Sequence, residues 1–237
     1  MSLLTSVVWD AQLHYRQRAF KDQVEWVLKT VAHFAKRDDV QLAIRIHPAE
    51  VTGSLPSRQP IAAEIKAGFP NLSRNIALIG PEDEVSTYAL AEASDAVIIY
   101  ATKTGIELAA QGIPVIVAGE SWLRGKEIGF DCDDAEAYER MLAALPFRQR
   151  LDEARTARAE AYAYHFFFRR MIRLPGLRPA RVQGAPYEVA PLGLDVFAPG
   201  AHASLDCVCN GILGGSTFVF DEEAEPAMPM AEMAQSK

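Results

Sequence analysis

A chain of 237 residues, 49% of them hydrophobic, has room for one large domain, or for one ordinary domain and a substantial appendage, and its composition excludes disorder throughout. With 24 Lys and Arg against 31 Asp and Glu, the net charge of -7 removes the global electrostatic case for a nucleic-acid binder, although not for a local basic patch. Three cysteines, Cys132, Cys207 and Cys209, form an odd set whose only close spacing is one C-x-C, so neither a disulfide framework nor a metal site is expected.

The stretch MSLLTSVVWDAQ has no basic n-region, long apolar segment or cleavage site, and no run approaches the roughly 18 apolar residues of a membrane span. The expected location is the reducing cytoplasm, with peripheral contact at the inner face of the cell membrane left open. Residues 6–9 read as a short strand. Residues 21–36 read as a helix, because Val24, Val27, Leu28, Val31 and Phe34 recur at helical spacing. Over 40–46, Val40, Leu42, Ile44 and Ile46 alternate as in a strand, which His47-Pro48 ends. A helix over 59–67, a strand over 75–79 and a helix over 86–93 capped by Ser86 follow.

The segment DAVIIYATKTGIELAAQGIPVIVAGE, from Asp95 to Glu120, carries the most information. Residues 96–100 and 115–118 are apolar runs rich in β-branched side chains, suited to strands buried on both faces of a parallel sheet. Between them a short helix ends at Gly112 and Pro114, giving a right-handed βαβ unit. Its first turn, Thr102-Lys103-Thr104-Gly105, falls where helix N–H groups favour a phosphate. Asp133 or Asp134 caps a helix to about 145, and a longer helix runs over about 149–171. The alternation implies an α/β fold, a doubly wound Rossmann-like parallel sheet. From Arg173 the chain turns rich in Pro and Gly, with a short element around 205–213 and an apolar run over 217–220, and from Asp221 an acidic tail is expected to be disordered. The expected organisation is a domain over 1–173, an extension over 174–220 and a tail over 221–237.

Together, RIHPAE at 45–50, STYALAEASDAVIIYATKTGIELAAQGIPVIVAGE at 86–120 and YAYHFFFRRMI at 162–172 resemble the bacterial capsule polysaccharide biosynthesis family, which is similar to Kdo transferases and other GT-B glycosyltransferases. The resemblance implies that 1–173 corresponds to the C-terminal, donor-binding half of such an enzyme. It also implies a nucleotide-activated sugar, CMP-linked if the likeness to Kdo transferases holds, and a glycan acceptor on another domain. That domain would come from a partner chain; otherwise this chain is a fragment or a non-catalytic nucleotide-binding subunit. Transfer of a polyol phosphate from a CDP donor is the enzymatic alternative. No cofactor or metal is implied.

His47 sits at the carboxyl end of a strand, the edge that faces ligands in open α/β sheets, and the resemblance gives it and Pro48 to the donor nucleotide. His47 could assist the departing phosphate, or be a loop histidine held by backbone. Thr102, Lys103, Thr104 and Gly105 could bind a diphosphate, with Gly105 permitting close approach; ordinary capping uses the same groups. Glu107 takes the ribose hydroxyls by resemblance. Ser86 is a second-tier candidate as well as a cap, as are Glu50, Arg45 and Asp10. Glu120 and Arg124 are candidate donor-sugar contacts in a lid loop, against the reading that they are solvated charges. The aromatic block from Tyr162 to Phe168 is expected to pack a long helix onto the sheet.

Overall fold

The computed structural model describes residues 1–9, 14–52, 57–180 and 187–220. The chain divides into two compact units, Met1–Tyr162 and a second from Ala163 onward. The first contains a six-stranded sheet, β1 (Ser2–Leu4), β2 (Leu42–Arg45), β3 (Ile76–Ile79), β4 (Val97–Ile99), β5 (Val115–Val117) and β6 (Phe130–Asp131), in the order β3-β2-β1-β4-β5-β6. Every pairing is parallel. This is the doubly wound order, with its reversal between β1 and β4. The register sets Leu4 opposite both Arg45 and Ile99, and Arg45 opposite Ile79. Four strands therefore end level, and the residues after them share one edge.

Helices α1 (Gln23–Phe34), α2 (Ala49–Thr52), α3 (Ile61–Gly68), α4 (Thr87–Glu92), α5 (Thr104–Ala110) and α6 (Ala135–Ala143) connect the strands or follow the last, and α7 (Glu153–Tyr164) runs out of this unit. Val97, Ile98, Ile99, Val115, Ile116 and Val117 are fully buried, as apolar runs without alternation require. The helical spacing in α1 places Trp26, Val27, Val31 and Phe34 in the core. Trp26 Nε1 donates to the Tyr138 hydroxyl on α6 (2.9 Å), which also pairs with Thr30 Oγ1 (2.7 Å). Asp134 caps α6 through the Ala137 N–H. Gly112 follows α5 at φ 74°, the left-handed turn its sequence foretells.

Two expectations fail here. The first strand is Ser2–Leu4 and not 6–9, because the Gln23 side chain takes both backbone groups of Ser6: its Oε1 accepts the Ser6 N–H (3.0 Å) and its Nε2 donates to the Ser6 carbonyl (2.5 Å). Those groups cannot also join a ladder. The long final helix is α7 followed by a π-helical turn, His165–Arg169. Only Ala159 of α7 is buried, and nothing in the turn is. Three consecutive aromatics, Phe166 to Phe168, cannot share one helical face, so this block is not core.

The second unit contains an antiparallel pair, β7 (Leu177–Pro179) with β8 (Tyr187–Val189), a 3-10 turn over Leu194–Phe197, and α8 (Ala203–Gly214). Residues 217–220 form no regular element, but Phe220 exchanges hydrogen bonds with Arg169: its N–H donates to the Arg169 carbonyl (2.7 Å) and its carbonyl accepts from Arg169 Nε (3.0 Å). The acidic tail and Asp10 lie outside the described residues.

Candidate functional site

The level ends of β1, β2 and β4 enclose a cleft of about 130 Å³, lined by residues from four segments of the chain. Thr5, directly after β1, organises it. Its Oγ1 accepts the His47 backbone N–H (2.9 Å) and donates to the Arg45 carbonyl (3.3 Å). The turn after β2 is thereby tied to the end of β1. His47 Nδ1 accepts the Ala49 N–H (3.1 Å), so the neutral ring carries its proton on Nε2. Pro48 accepts the Val51 and Thr52 N–H groups through its carbonyl and opens α2.

Arg45 is buried, at 6% exposure. Its Nη1 donates to the Gly80 carbonyl and its Nη2 to the Asp83 carbonyl (3.1 Å). Its Nε is buried and has no hydrogen-bond partner among the described residues. The lining residues are Leu4, Thr5, Arg45, His47, Pro48, Thr87, Tyr88, Thr102 and Thr104; among them Arg45 is the fixed charge, and the Glu107 carboxylate stands behind Tyr88.

The turn at 102–105 contributes hydroxyls more than amides. Thr102 Oγ1 accepts the Thr104 N–H (3.4 Å) and donates to Thr104 Oγ1 (3.3 Å). The Gly105 and Ile106 N–H groups bond the Thr102 and Lys103 carbonyls. Lys103 is the helix N-cap without a side-chain capping bond, and its side chain is exposed. Gly105 has a packing reason: a Cβ there would stand 2.6 Å from Ile99 Cδ1 and 3.0 Å from Leu123 Cδ1. Its missing side chain lets α5 sit on the sheet and faces away from any ligand at the turn.

Of the candidates, the cleft gathers His47, Pro48, Thr102, Thr104 and Arg45. Glu107 joins through Tyr88, whose hydroxyl donates to its carboxylate; that hydrogen bond raises the Tyr88 phenol above its ordinary value. Ser86 caps α4 through the Ala89 N–H (3.4 Å). Glu50 is buried and accepts the Ile61 N–H at the start of α3 (3.1 Å). Burial raises its carboxyl, and that N–H partly opposes the shift. Glu120 lies in a second cleft on the unit, about 760 Å³, where it bonds Arg18 Nε (2.7 Å).

Arg124 is not a lid residue. Its side chain is 7% exposed, and its Nε and Nη2 donate to the carbonyls of Val117, Gly119 and Cys132 at 2.9–3.2 Å. Its Nη1 meets Asp133 (2.8 Å). The guanidinium fastens the carboxyl ends of β5 and β6 and has its donors committed there. Thr5 and Tyr88 escape a reading of the sequence. Placing the first strand at 6–9 hides Thr5, and Tyr88 looks like an ordinary aromatic of a short helix.

No family model matches the chain, and no curated protein matches it. Among solved structures, the chain is similar to the KpsC beta Kdo 2,7 transferase of Thermosulfurimonas dismutans, with 18% identity and a TM-score of 0.41 over 68% of this chain and 43% of that one. It is similar to the KpsC beta Kdo 2,4 transferase of the same organism, with 16% identity and a TM-score of 0.39 over 68% and 43%. A third is a protein of Listeria monocytogenes assigned as a UDP-N-acetylglucosamine 2-epimerase, with 14% identity and a TM-score of 0.43 over 70% and 44%. The chain spans less than half the length of these proteins. Likeness at this level carries no activity across.

Proposed function

We propose that residues 1–162 form the donor-binding part of a glycosyltransferase of capsule or surface polysaccharide assembly, and that the small cleft takes a phosphate of its nucleotide-activated sugar. The observation that carries this reading is the convergence, in a space of about 130 Å³, of the buried Arg45, the His47 ring and the hydroxyls of Thr5, Thr102 and Thr104. A volume well below the roughly 300 Å³ of small-molecule pockets fits a phosphate and not a whole nucleotide. Basic and hydroxyl donors without a lining carboxylate suit that anion.

In transfer, an acceptor hydroxyl oxygen bonds the anomeric carbon while the bond from that carbon to the phosphate oxygen breaks. The electron pair leaves with the nucleotide. His47, through Nε2, and Thr104, whose hydroxyl accepts from Thr102 and keeps its own proton to donate, would stabilise the departing phosphate by hydrogen bonding, and Arg45 would add fixed positive charge behind them. The Tyr88–Glu107 pair would take the ribose hydroxyls. A CMP-linked sugar is the donor favoured by the resemblance to Kdo transferases, and a partner domain would bring the glycan acceptor and the base that receives its proton. The setting is cytoplasmic, in keeping with three free cysteines.

Titration calorimetry with CMP, CDP, UDP and GDP tests the reading. At least one should bind, and His47→Ala should weaken it about 10- to 100-fold, the loss of one hydrogen bond to a charged group. If no nucleotide binds, the donor reading fails. If one binds and neither His47→Ala nor Glu107→Ala weakens it, the nucleotide occupies another cleft.

A further inference from the structure

The second unit leaves large apolar side chains in solvent on several of its elements, among them the helical path over 164–171 and the β7–β8 ribbon. Tyr164, at the end of α7, is 49% exposed; Phe168, in the π-helical turn, is 61% exposed; Met171, just after that turn, is 53% exposed. Their spacing of four and then three residues puts them on one side of a helical path. The Tyr164 and Phe168 rings do stack, with centroids 5.6 Å apart. In the β7–β8 ribbon, Leu177 lies opposite Val189 and Pro179 opposite Tyr187, while Arg178 lies opposite Glu188. Directly opposed residues, and those two apart, share a face. One face of the ribbon is thus wholly apolar, and all four of its residues are exposed, Val189 at 74% and Tyr187 at 59%. A two-stranded ribbon with a bare apolar face is marginal in water.

Charge identifies what covers these surfaces. Residues 161–189, which include the whole ribbon, hold five arginines, Arg169, Arg170, Arg173, Arg178 and Arg181, against one carboxylate, Glu188, which lies opposite Arg178. The chain as a whole is at -7, so the remainder is more acidic still. Arg170 and Arg173 are exposed beside Met171. We infer that this segment is a docking surface for an anionic lipid bilayer, with Phe168, Met171 and the Leu177–Val189 face entering the acyl boundary and Arg170 and Arg173 at the headgroups.

Two observations favour lipid over other occupants. A two-fold contact with a second copy would appose the arginine-rich segment with itself, like charge against like. Aliphatic side chains such as Val189, Leu177 and Met171 gain little from a nucleic acid, which rewards aromatic stacking, and Tyr164 and Phe168 already stack on each other. Among the described residues no helix is long and apolar enough to cross a membrane.

The test is co-sedimentation of the full chain with vesicles of phosphatidylcholine alone and of phosphatidylcholine mixed with phosphatidylglycerol. Binding is expected to the mixed vesicles only and to weaken as salt is raised. The pair Arg170→Glu and Arg173→Glu should lower partitioning about 25-fold or more, roughly fivefold for each charge. The pair Tyr187→Ser and Val189→Ser, which keeps every charge, should lower it about tenfold or more. All four positions are exposed, and unchanged circular dichroism verifies the fold of each variant. Absence of binding to the mixed vesicles, or binding that neither pair alters, overturns the inference. So does a dimer in sedimentation velocity that the Tyr187 and Val189 pair dissolves, which would give the face to a second copy, or retention of single-stranded RNA in place of vesicles.

Discussion

Replacing Arg124 with methionine separates a structural role from a ligand role at a position where the sequence allows both. The substitution keeps most of the buried aliphatic volume and removes every donor. The Val117 carbonyl keeps a partner, because it also accepts the Cys132 N–H at 3.0 Å. The carbonyls of Gly119 and Cys132, both in buried residues, lose the guanidinium donors at 3.0 and 2.9 Å. Leaving a buried acceptor unpaired costs about 1–3 kcal/mol. The contact with Asp133 adds little, since that carboxylate is 77% exposed. Two orphaned carbonyls, less the apolar burial that methionine regains, give a loss of about 3 kcal/mol. For a protein of this size, that corresponds to a fall in Tm of about 6–12 °C. Tryptophan fluorescence during thermal or urea unfolding reports it, because Trp9, Trp26 and Trp122 all lie within Met1–Tyr162. Arg124→Lys should recover part of the loss by reaching one carbonyl. If Arg124→Met instead unfolds with the wild type and loses nucleotide binding, Arg124 is a ligand residue and the fastening role is wrong.

Gly105→Ala should cost about 1–3 kcal/mol by overpacking, because its Cβ falls 2.6 Å from Ile99 Cδ1 with Leu123 and Val115 closing the other sides; an unshifted melting curve would show that those side chains swing clear. Glu50 should make stability fall as pH rises. Its folded carboxyl sits above the ordinary 4.5, so between the two values the native state holds more protons than the unfolded chain, and raising pH through that window favours unfolding. Glu50→Gln, neutral throughout and still able to accept the Ile61 N–H, should remove this slope. Denaturation midpoints against pH should therefore diverge above about 4.5, and parallel curves for the two proteins would refute the assignment.

The strands of this fold were legible where burial on both faces leaves an unbroken apolar signature, as in 96–100 and 115–118, and the helices where a 3.6-residue rhythm marks them, as in α1, or a capping residue does, as at Asp134. The first strand was misplaced because Ser6 to Trp9 has the more strand-like side chains, and its backbone is claimed by Gln23, a partner 17 residues away. The two-residue β6 is too short to have a pattern of its own. At the site, His47 and Thr102 could be found because they end strong strand signals. Thr5 and Arg45 act through contacts to turns distant in sequence, and no local spacing encodes those. Arg124 illustrates the reverse: a cation in a polar loop reads as solvated or ligand-facing, yet the end of a parallel sheet offers carbonyls that a guanidinium satisfies.

In a sheet of this order the first βα turn, between β1 and α1, is an ordinary place for an anion. Here that helix start is already taken. Asp22 caps the helix by accepting the Glu25 N–H (2.8 Å), and Glu25 accepts the N–H of Lys21, the residue before the cap (3.0 Å). The two carboxylates take the Glu25 and Lys21 N–H groups and leave negative charge at the helix end, where a phosphate would meet repulsion. The opposite holds a few residues away, where Arg45 and His47 face the cleft with hydroxyls and without a lining carboxylate. On the proposed reading, an anion would sit at the turns after β2 and β4 in preference to the β1–α1 turn. Since about 130 Å³ accommodates little beyond a phosphate, the rest of any nucleotide-sugar must extend out of that cleft. Tyr88 and Glu107 flank one side of it. On the chain, Val8 and Trp9 follow Thr5 into the 760 Å³ cleft, and Tyr100 enters it two residues before Thr102. A donor held by its phosphate at the small cleft could thus extend its nucleoside toward Tyr88 and its sugar toward Trp9, where a partner domain would present the acceptor.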